Sequence, residues 1–405
     1  MKSRAEWEAR VAKELEGRSA DSLAATLPEG FVVPALAPDD AVPSDTDAPL
    51  PGVWPYRRGA AAGAVRPRNM PRVEASGPSW TAECLDDLDG GADGVWIAGN
   101  GAGPAPEAAA EALRNAPADF VVGIDLGGDL ARSEALAEAL HRSAPAARPI
   151  VFVEPFAAGV PAEHSFAIPT HAWRSAGAHG VLEIAYAAAT GVHSLRLLLD
   201  AEVDVAEAAS RIGFSISLGR DVLVEIAKLR ALRVVWAKVV AAAGVDAPPA
   251  WIHAASARDA LARRGPLNNV LRGTTHAFAA ICGGADAVTV LPFDALRGRP
   301  SREARRAARN TVTILAEECA VAAVQDPAGG APAVEALTDR LARAAWERLR
   351  SIEAKGGMAA CLLSGEIRRE LDAARAARGA EPVIGETEFP DPDDADAPAA
   401  TGARP

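Results

Sequence analysis

The sequence predicts an α/β protein, a (β/α)8 TIM barrel with an extended N-terminal arm and a C-terminal helical extension. Three observations predict it. The stretch Asn268 to Asp294 joins a helical apolar pattern (Val270, Leu271, Thr274, Ala277, Phe278, Ile281) through Gly283-Gly284 to a short apolar run, Ala287 to Leu291, closed by Pro292. That is a helix, a glycine stop and a strand buried on both faces, the repeating unit of an α/β chain. Such runs alternate with helical stretches from Arg72 onward, and eight of them fall within ~250 residues, which suits a closed barrel better than an open doubly wound sheet. Finally, 405 residues with 49% hydrophobic content can bury a large core.

The chain opens with a charged amphipathic helix around Trp7, Val11 and Leu15 and passes into an irregular stretch, Pro28 to Pro71, rich in Pro, Gly and Asp. Such a stretch is expected to wrap a body rather than form one, so residues 1–71 are read as the arm. Within it PGVWPYRRG, Pro51 to Gly59, has an extended path fixed by its prolines, with Trp54 and Tyr56 as anchors. Strands are predicted at Arg72 to Ser76, Gly94 to Ala98, Phe120 to Asp125, Pro149 to Glu154, Ser165 to His171, Arg211 to Ser217, Trp251 to Ser256 and Ala287 to Leu291. Helices are predicted between them at Pro106 to Arg114, Ala131 to Arg142, Val181 to Leu199 and Arg220 to Ala243, while Pro155 to His164 is too short and irregular for a full helix. Ser301 to Ala320 reads as the last helix of a barrel spanning 72–320. The extension, 321–390, holds helices at Val334 to Ala354 and Ile367 to Arg378 with a turn at Gly356-Gly357, and the acidic, Pro/Ala-rich tail 391–405 is expected to be disordered.

Composition narrows the function. A net charge of -12 argues against a nucleic-acid surface, which needs clustered Lys and Arg. The four cysteines, Cys84, Cys282, Cys319 and Cys361, lie far apart without a CxxC pair and read as reduced thiols. The first residues contain no signal-like apolar core and no run approaches the ~20 residues of a membrane span. A cytoplasmic protein is expected, and the preference for Ala and Arg over Lys suggests a GC-rich bacterial genome.

Several stretches together carry a resemblance: PGVWPYRRG, SAGAHGVLEIAYAAATGV (Ser175 to Val192), VEIAKLRALRVVWAKVV (Val224 to Val240), PLNNVLRGTTHAFAAICGGADAVTVLPFD, ARNTVTILAEE (Ala308 to Glu318), DPAGG (Asp326 to Gly330) and GGMAACL (Gly356 to Leu362). In this order, from about Trp7 to Phe389, they resemble the small, non-catalytic subunits of the methylmalonyl-CoA mutase family, adenosylcobalamin-dependent isomerases built on a (β/α)8 barrel. The resemblance implies a heterodimer in which a large, cobalamin-binding catalytic partner interconverts methylmalonyl-CoA and succinyl-CoA. This chain would bind no cofactor itself and would stabilise the partner.

Departures from the catalytic pattern point the same way. Catalytic members end the run after PYxRG in a substrate-contacting Tyr, where this chain has Val65, and place a His before the QEAGA-like turn, where it has Ala172; a one-residue shift would bring in His171 instead. Their cobalamin domain carries DxHxxG, which this sequence lacks. Without phenol and imidazole the reacting centre has no such hydrogen-bond donors.

Other readings stay open. Asp125 and Glu154 lie at strand ends, where barrels place catalytic groups, and with His171 could form an acid-base or metal site of an independent enzyme. Against that, IDLGGD also fits a turn and helix cap through Asp129 and Ser133, and both His171 and His253 fit packing or hydrogen-bonded residues better than ligands. Arg57-Arg58 would reach CoA phosphates in a catalytic relative, or pair with acidic neighbours here. The glycines of Gly99 to Gly103 follow a strand, but Pro104 and Pro106 spoil a dinucleotide-binding helix start. A third reading is a stand-alone acyl-CoA-binding protein.

Overall fold

The computed structural model describes residues 3–37, 49–75, 79–99, 103–246, 248–379 and 381–391. Ser76, the middle of the Gly99 to Gly103 stretch and the tail beyond Asp391 lie outside them. In the arm, helix α1 (Arg4–Glu14) is capped by Ser3 and precedes a two-strand antiparallel hairpin, β1 (Ala25–Thr26) with β2 (Val32–Val33). Then follow β3 (Arg68–Asn69), β4 (Arg72–Glu74), α2 (Trp80–Asp89), β5 (Gly94–Ala98), α3 (Pro106–Ala112), β6 (Phe120–Asp125), α4 (Leu130–Ser143), β7 (Ala147–Phe152), α5 (Pro155–Ala158) and β8 (Phe166–Pro169). The second half runs α6 (His171–Ala176), α7 (Gly180–Asp200), α8 (Val205–Arg211), β9 (Ile212–Leu218), α9 (Val222–Ala242), β10 (Ile252–Ser256), α10 (Asn268–Cys282), β11 (Ala287–Thr289) and α11 (Arg302–Thr313). Helices α12 (Pro332–Ala354), α13 (Gly357–Leu363) and α14 (Glu366–Arg378) are the last helices among the described residues.

The large sheet has nine parallel strands in the order β3-β11-β10-β9-β8-β7-β6-β5-β4. It is a curled, TIM-barrel-like sheet wrapped by helices. The eight predicted strands are all present, but a ninth, β3, was not expected, and the sheet has two ends rather than forming one ring of eight. Those ends are the halves of a single extended segment broken at Met70-Pro71. On one side Met70 N–H donates to Val288 O, and on the other Trp96 N–H donates to Pro71 O.

Two boundaries differ where chemistry was predicted. β7 begins at Ala147 and ends at Phe152, so Glu154 leaves the strand and precedes the one-turn helix α5. β8 stops at Pro169, and His171 opens α6, because the Thr170 hydroxyl is engaged by Glu183 and by Ser215 O at the strand end. The last barrel helix loosens after Thr313 into a π-turn, Ile314–Glu318, and the Gly356-Gly357 turn leads into the unpredicted α13.

Packing explains the two long helices. α7 buries an alanine run, Ala187 to Ala189, against α9 and α12, and Gly191 lets the Trp236 ring approach so closely that a Cβ would lie 2.5 Å from it. Any side chain there would displace the indole, the largest fully buried group of α9. Start points are set by side-chain caps: Asp204, Asp221 and Ser301 accept from the first free N–H groups of α8, α9 and α11. All four cysteines are free, and only Cys319 is exposed. Among the described residues no helix is long and apolar enough to cross a membrane.

Candidate functional site

The carboxyl ends of the strands surround a cavity of about 430 Å3. Asp125 ends β6, Glu154 follows β7, His171 follows β8, and Ser217 and Ser256 come from β9 and β10, so the sheet gathers the three predicted acid-base residues onto one wall. Burial, then the charge of Asp125, raises the Glu154 carboxyl above its usual range. Burial lowers His171; Asp125 pulls it back up and Arg72 pushes it further down, leaving a neutral imidazole near neutral pH. The three do not form a metal set: among the described residues no three His, Cys, Asp or Glu side chains are grouped to hold an ion. Asp125 instead stands 3.5 Å from the Gly127 N–H in the turn, and Asp129 and Ser133 cap α4, with Arg132 N–H donating to Asp129 at 3.1 Å.

Below this cavity the interior is filled by rings. Trp96, Phe152 and His253 have centroids 5.4 Å apart in all three pairs. His171 lies 5.6 Å above Trp96, and Trp251 stacks on His253 at 6.0 Å from below. Met70, Val121 and Ile150 close the gaps. His253 is fixed by hydrogen bonds of 2.8 Å to both Ser215 and Thr289, the packing role expected of it.

A second cavity, about 340 Å3, opens at the opposite, amino ends of the strands beside Val65, Arg66, Arg68, Arg148 and Trp251. The two positions where a catalytic Tyr and His were expected therefore lie at opposite ends of the sheet. Val65 is at this lower cavity, while Ala172 is exposed on α6 and His171 is the residue lining the upper one. Arg57 and Arg58 make acidic pairs, with Glu335 at 2.9 Å and Asp326 at 3.2 Å.

Sequence reasoning missed a buried charge cluster under the upper cavity. Lys228 Nζ lies 2.8 Å from Glu183 and 2.5 Å from Glu225, and donates to Ser217 O at 2.5 Å. Glu183 also accepts from Thr170 and, at 2.9 Å, from Ser217 N–H, so the cluster braces the ends of β8 and β9. Burial opposes the charge of Lys228, but the two carboxylates together hold it above the usual lysine range. The signal was a Glu and Lys three residues apart inside the apolar run VEIAKLRALRVVW.

His253 and His276 give the fold an acid sensitivity. Burial drives both down to about 3, with His171 adding to the effect on His253 and Arg174 on His276. Unfolded histidine titrates near ~6.5, so below that pH the unfolded chain takes up protons that the folded chain does not, and stability falls as pH falls. Each contributes a slope of ~1.4 kcal/mol per pH unit until the folded value is reached. Urea midpoints between about pH 6 and pH 4 should decline steeply, and less so in the double variant His253→Gln, His276→Gln. Parallel slopes would contradict the assignment.

The sequence itself has known relatives. Residues 141–396 match the family model for methylmalonyl-CoA mutase. The chain is 36% identical to the methylmalonyl-CoA mutase small subunit of Streptomyces virginiae over 93% of its own length and 68% of that protein's. The chain belongs to the methylmalonyl-CoA mutase family. It is 33% identical to the probable methylmalonyl-CoA mutase small subunit of Mycobacterium tuberculosis H37Rv, over 84% of this chain and 61% of that one. The small subunit of Propionibacterium freudenreichii subsp. shermanii is 36% identical over 57% of this chain and 38% of its own length. The chain thus spans about two thirds or less of the length of these family members.

Proposed function

We propose that this chain is the non-catalytic small subunit of a heterodimeric, adenosylcobalamin-dependent methylmalonyl-CoA mutase. Its larger partner would bind the cobalamin and the acyl-CoA and interconvert methylmalonyl-CoA and succinyl-CoA. The observation that carries this reading is the filled axis. Trp96, Phe152, His253 and Met70 occupy the space between the two cavities. That supports a barrel that cannot pass the long pantetheine arm of CoA from one end to the other. The same reading takes the curled sheet as a barrel joined through Met70-Pro71, which the hydrogen bonds on either side of that pair support.

Bound cobalamin would supply the radical chemistry, and this sequence has no DxHxxG stretch to ligate it. On this reading Val65 and Ala172 stand where catalytic relatives carry a phenol and an imidazole, and His171, one residue from Ala172, is the imidazole that lines the upper cavity. What remains to this chain is packing: its fold buries a large core and offers a surface, so it would contribute stability to a partner by binding its folded form. Such a subunit belongs in the cytoplasm of a bacterium.

The independent-enzyme reading has one observation in its favour, the shared wall of Asp125, Glu154 and His171. Their lack of a metal-holding arrangement and of any direct hydrogen bond to one another weakens it. The filled axis also counts against a stand-alone acyl-CoA-binding protein. Co-purification from native extract separates the readings, since only the first requires a longer, cobalamin-carrying chain.

A further inference from the structure

Beside the upper cavity lies another of about 400 Å3, and Arg72, Arg258 and Leu291 line both. Its walls are the segments that follow β10 and β11, with Arg258 and Arg263 on one and Pro292, Arg299 and Pro300 on the other. The charges in it do not cancel. Arg72 pairs with Glu74, and Arg299 and Arg305 both pair with Glu83. Arg258 has no carboxylate partner and donates only to the backbone oxygen of Ala295, at 3.1 Å. Desolvation, then Arg72, holds its guanidinium below the usual range, with Glu74 pulling up and Arg263 pushing further down. Arg263 Nη1 is buried with no hydrogen-bond partner. A buried donor without an acceptor is destabilising, and crowded guanidiniums repel. An oxyanion between them would relieve both.

Topology selects the kind of oxyanion. Counting from β4, β10 and β11 take the seventh and eighth places around the sheet, and the loops after those strands are where barrel proteins frequently bind phosphate. We propose that the groove between these two segments binds a phosphoryl group, held by Arg258 and Arg263 with Arg72 at its inner wall. The remainder of a phosphate ester would extend into the upper cavity past Leu291. The proposal does not rest on the subunit reading, so its failure would leave that reading intact.

The test is calorimetric titration of the full chain with inorganic phosphate and, separately, with glycerol 3-phosphate. Saturable binding of at least one is expected, weakened at least about tenfold in Arg258→Gln and in Arg263→Gln. It should be partly retained in Arg258→Lys and unchanged in Arg343→Gln, whose guanidinium pairs with Asp339 on the exposed face of α12. Tighter binding of the ester assigns the site to an organic phosphate, and equal or weaker binding assigns it to the free ion. No saturable heat with either probe overturns the proposal, and so does unchanged affinity in the two glutamine variants, provided circular dichroism shows them folded.

Discussion

Lys228→Met is expected to lower the stability of the chain by about 3–5 kcal/mol, because it removes the cation from two carboxylates that have no route to water. Glu183 is fully buried and Glu225 is 3% exposed; both pair with the Lys228 ammonium, and Glu225 also meets Arg174 at 3.7 Å. The cluster's net worth is a separate quantity from the cost of breaking it. Taking two acids and a lysine out of water is expensive, so replacing all three by neutral groups of similar size should recover much of the loss. Urea unfolding of Lys228→Met against the triple variant with Glu183→Gln and Glu225→Gln tests both statements. A single variant within about 1 kcal/mol of the parent would contradict the buried-cluster account.

Arg230→Ala should cost a similar amount, about 3–5 kcal/mol, for a related reason with a different reach. Arg230 is 1% exposed, bonds Glu335 at 2.6 Å and pairs with Asp326, while Arg57 and Arg58 of the arm reach the same two acids. Arg57 also donates to Glu335 O at 2.8 Å. This cluster ties α9, the turn before α12 and the arm together, so its loss should free the arm as well as weaken the core. Trypsin should then cut after Arg57 and Arg58 much faster in Arg230→Ala than in the parent. Arg343→Ala, which breaks an exposed pair on one helix, should change stability by less than about 0.5 kcal/mol. Equal cleavage in parent and Arg230→Ala would contradict the clamp.

The strand pattern was legible because buried parallel strands read as short apolar runs, and β5 and β6 fall on the predicted residues. Elsewhere the ends of strands were harder to place. Burial on both faces removes the alternation that would say which side chains point inward, so nothing in the sequence singled out Trp96, Phe152 and His253 as the filling of one axis. Asp125 and Glu154 were found from their positions at strand ends, whereas the helical start at His171 depended on Thr170 meeting Glu183, a contact made only by the fold. Arg57-Arg58 could be read two ways in sequence because their partners, Glu335 and Asp326, lie hundreds of residues away. The paired Arg258 and Arg263 were invisible for the same reason: an uncompensated charge shows only when its neighbours are known.

The measurement that tests the central claim most directly is affinity purification of the tagged chain from its native cell extract, with mass spectrometry of what accompanies it and an absorbance scan. The account predicts a longer mutase chain recovered near one to one, with the spectrum of bound cobalamin. A chain recovered alone and colourless would contradict it.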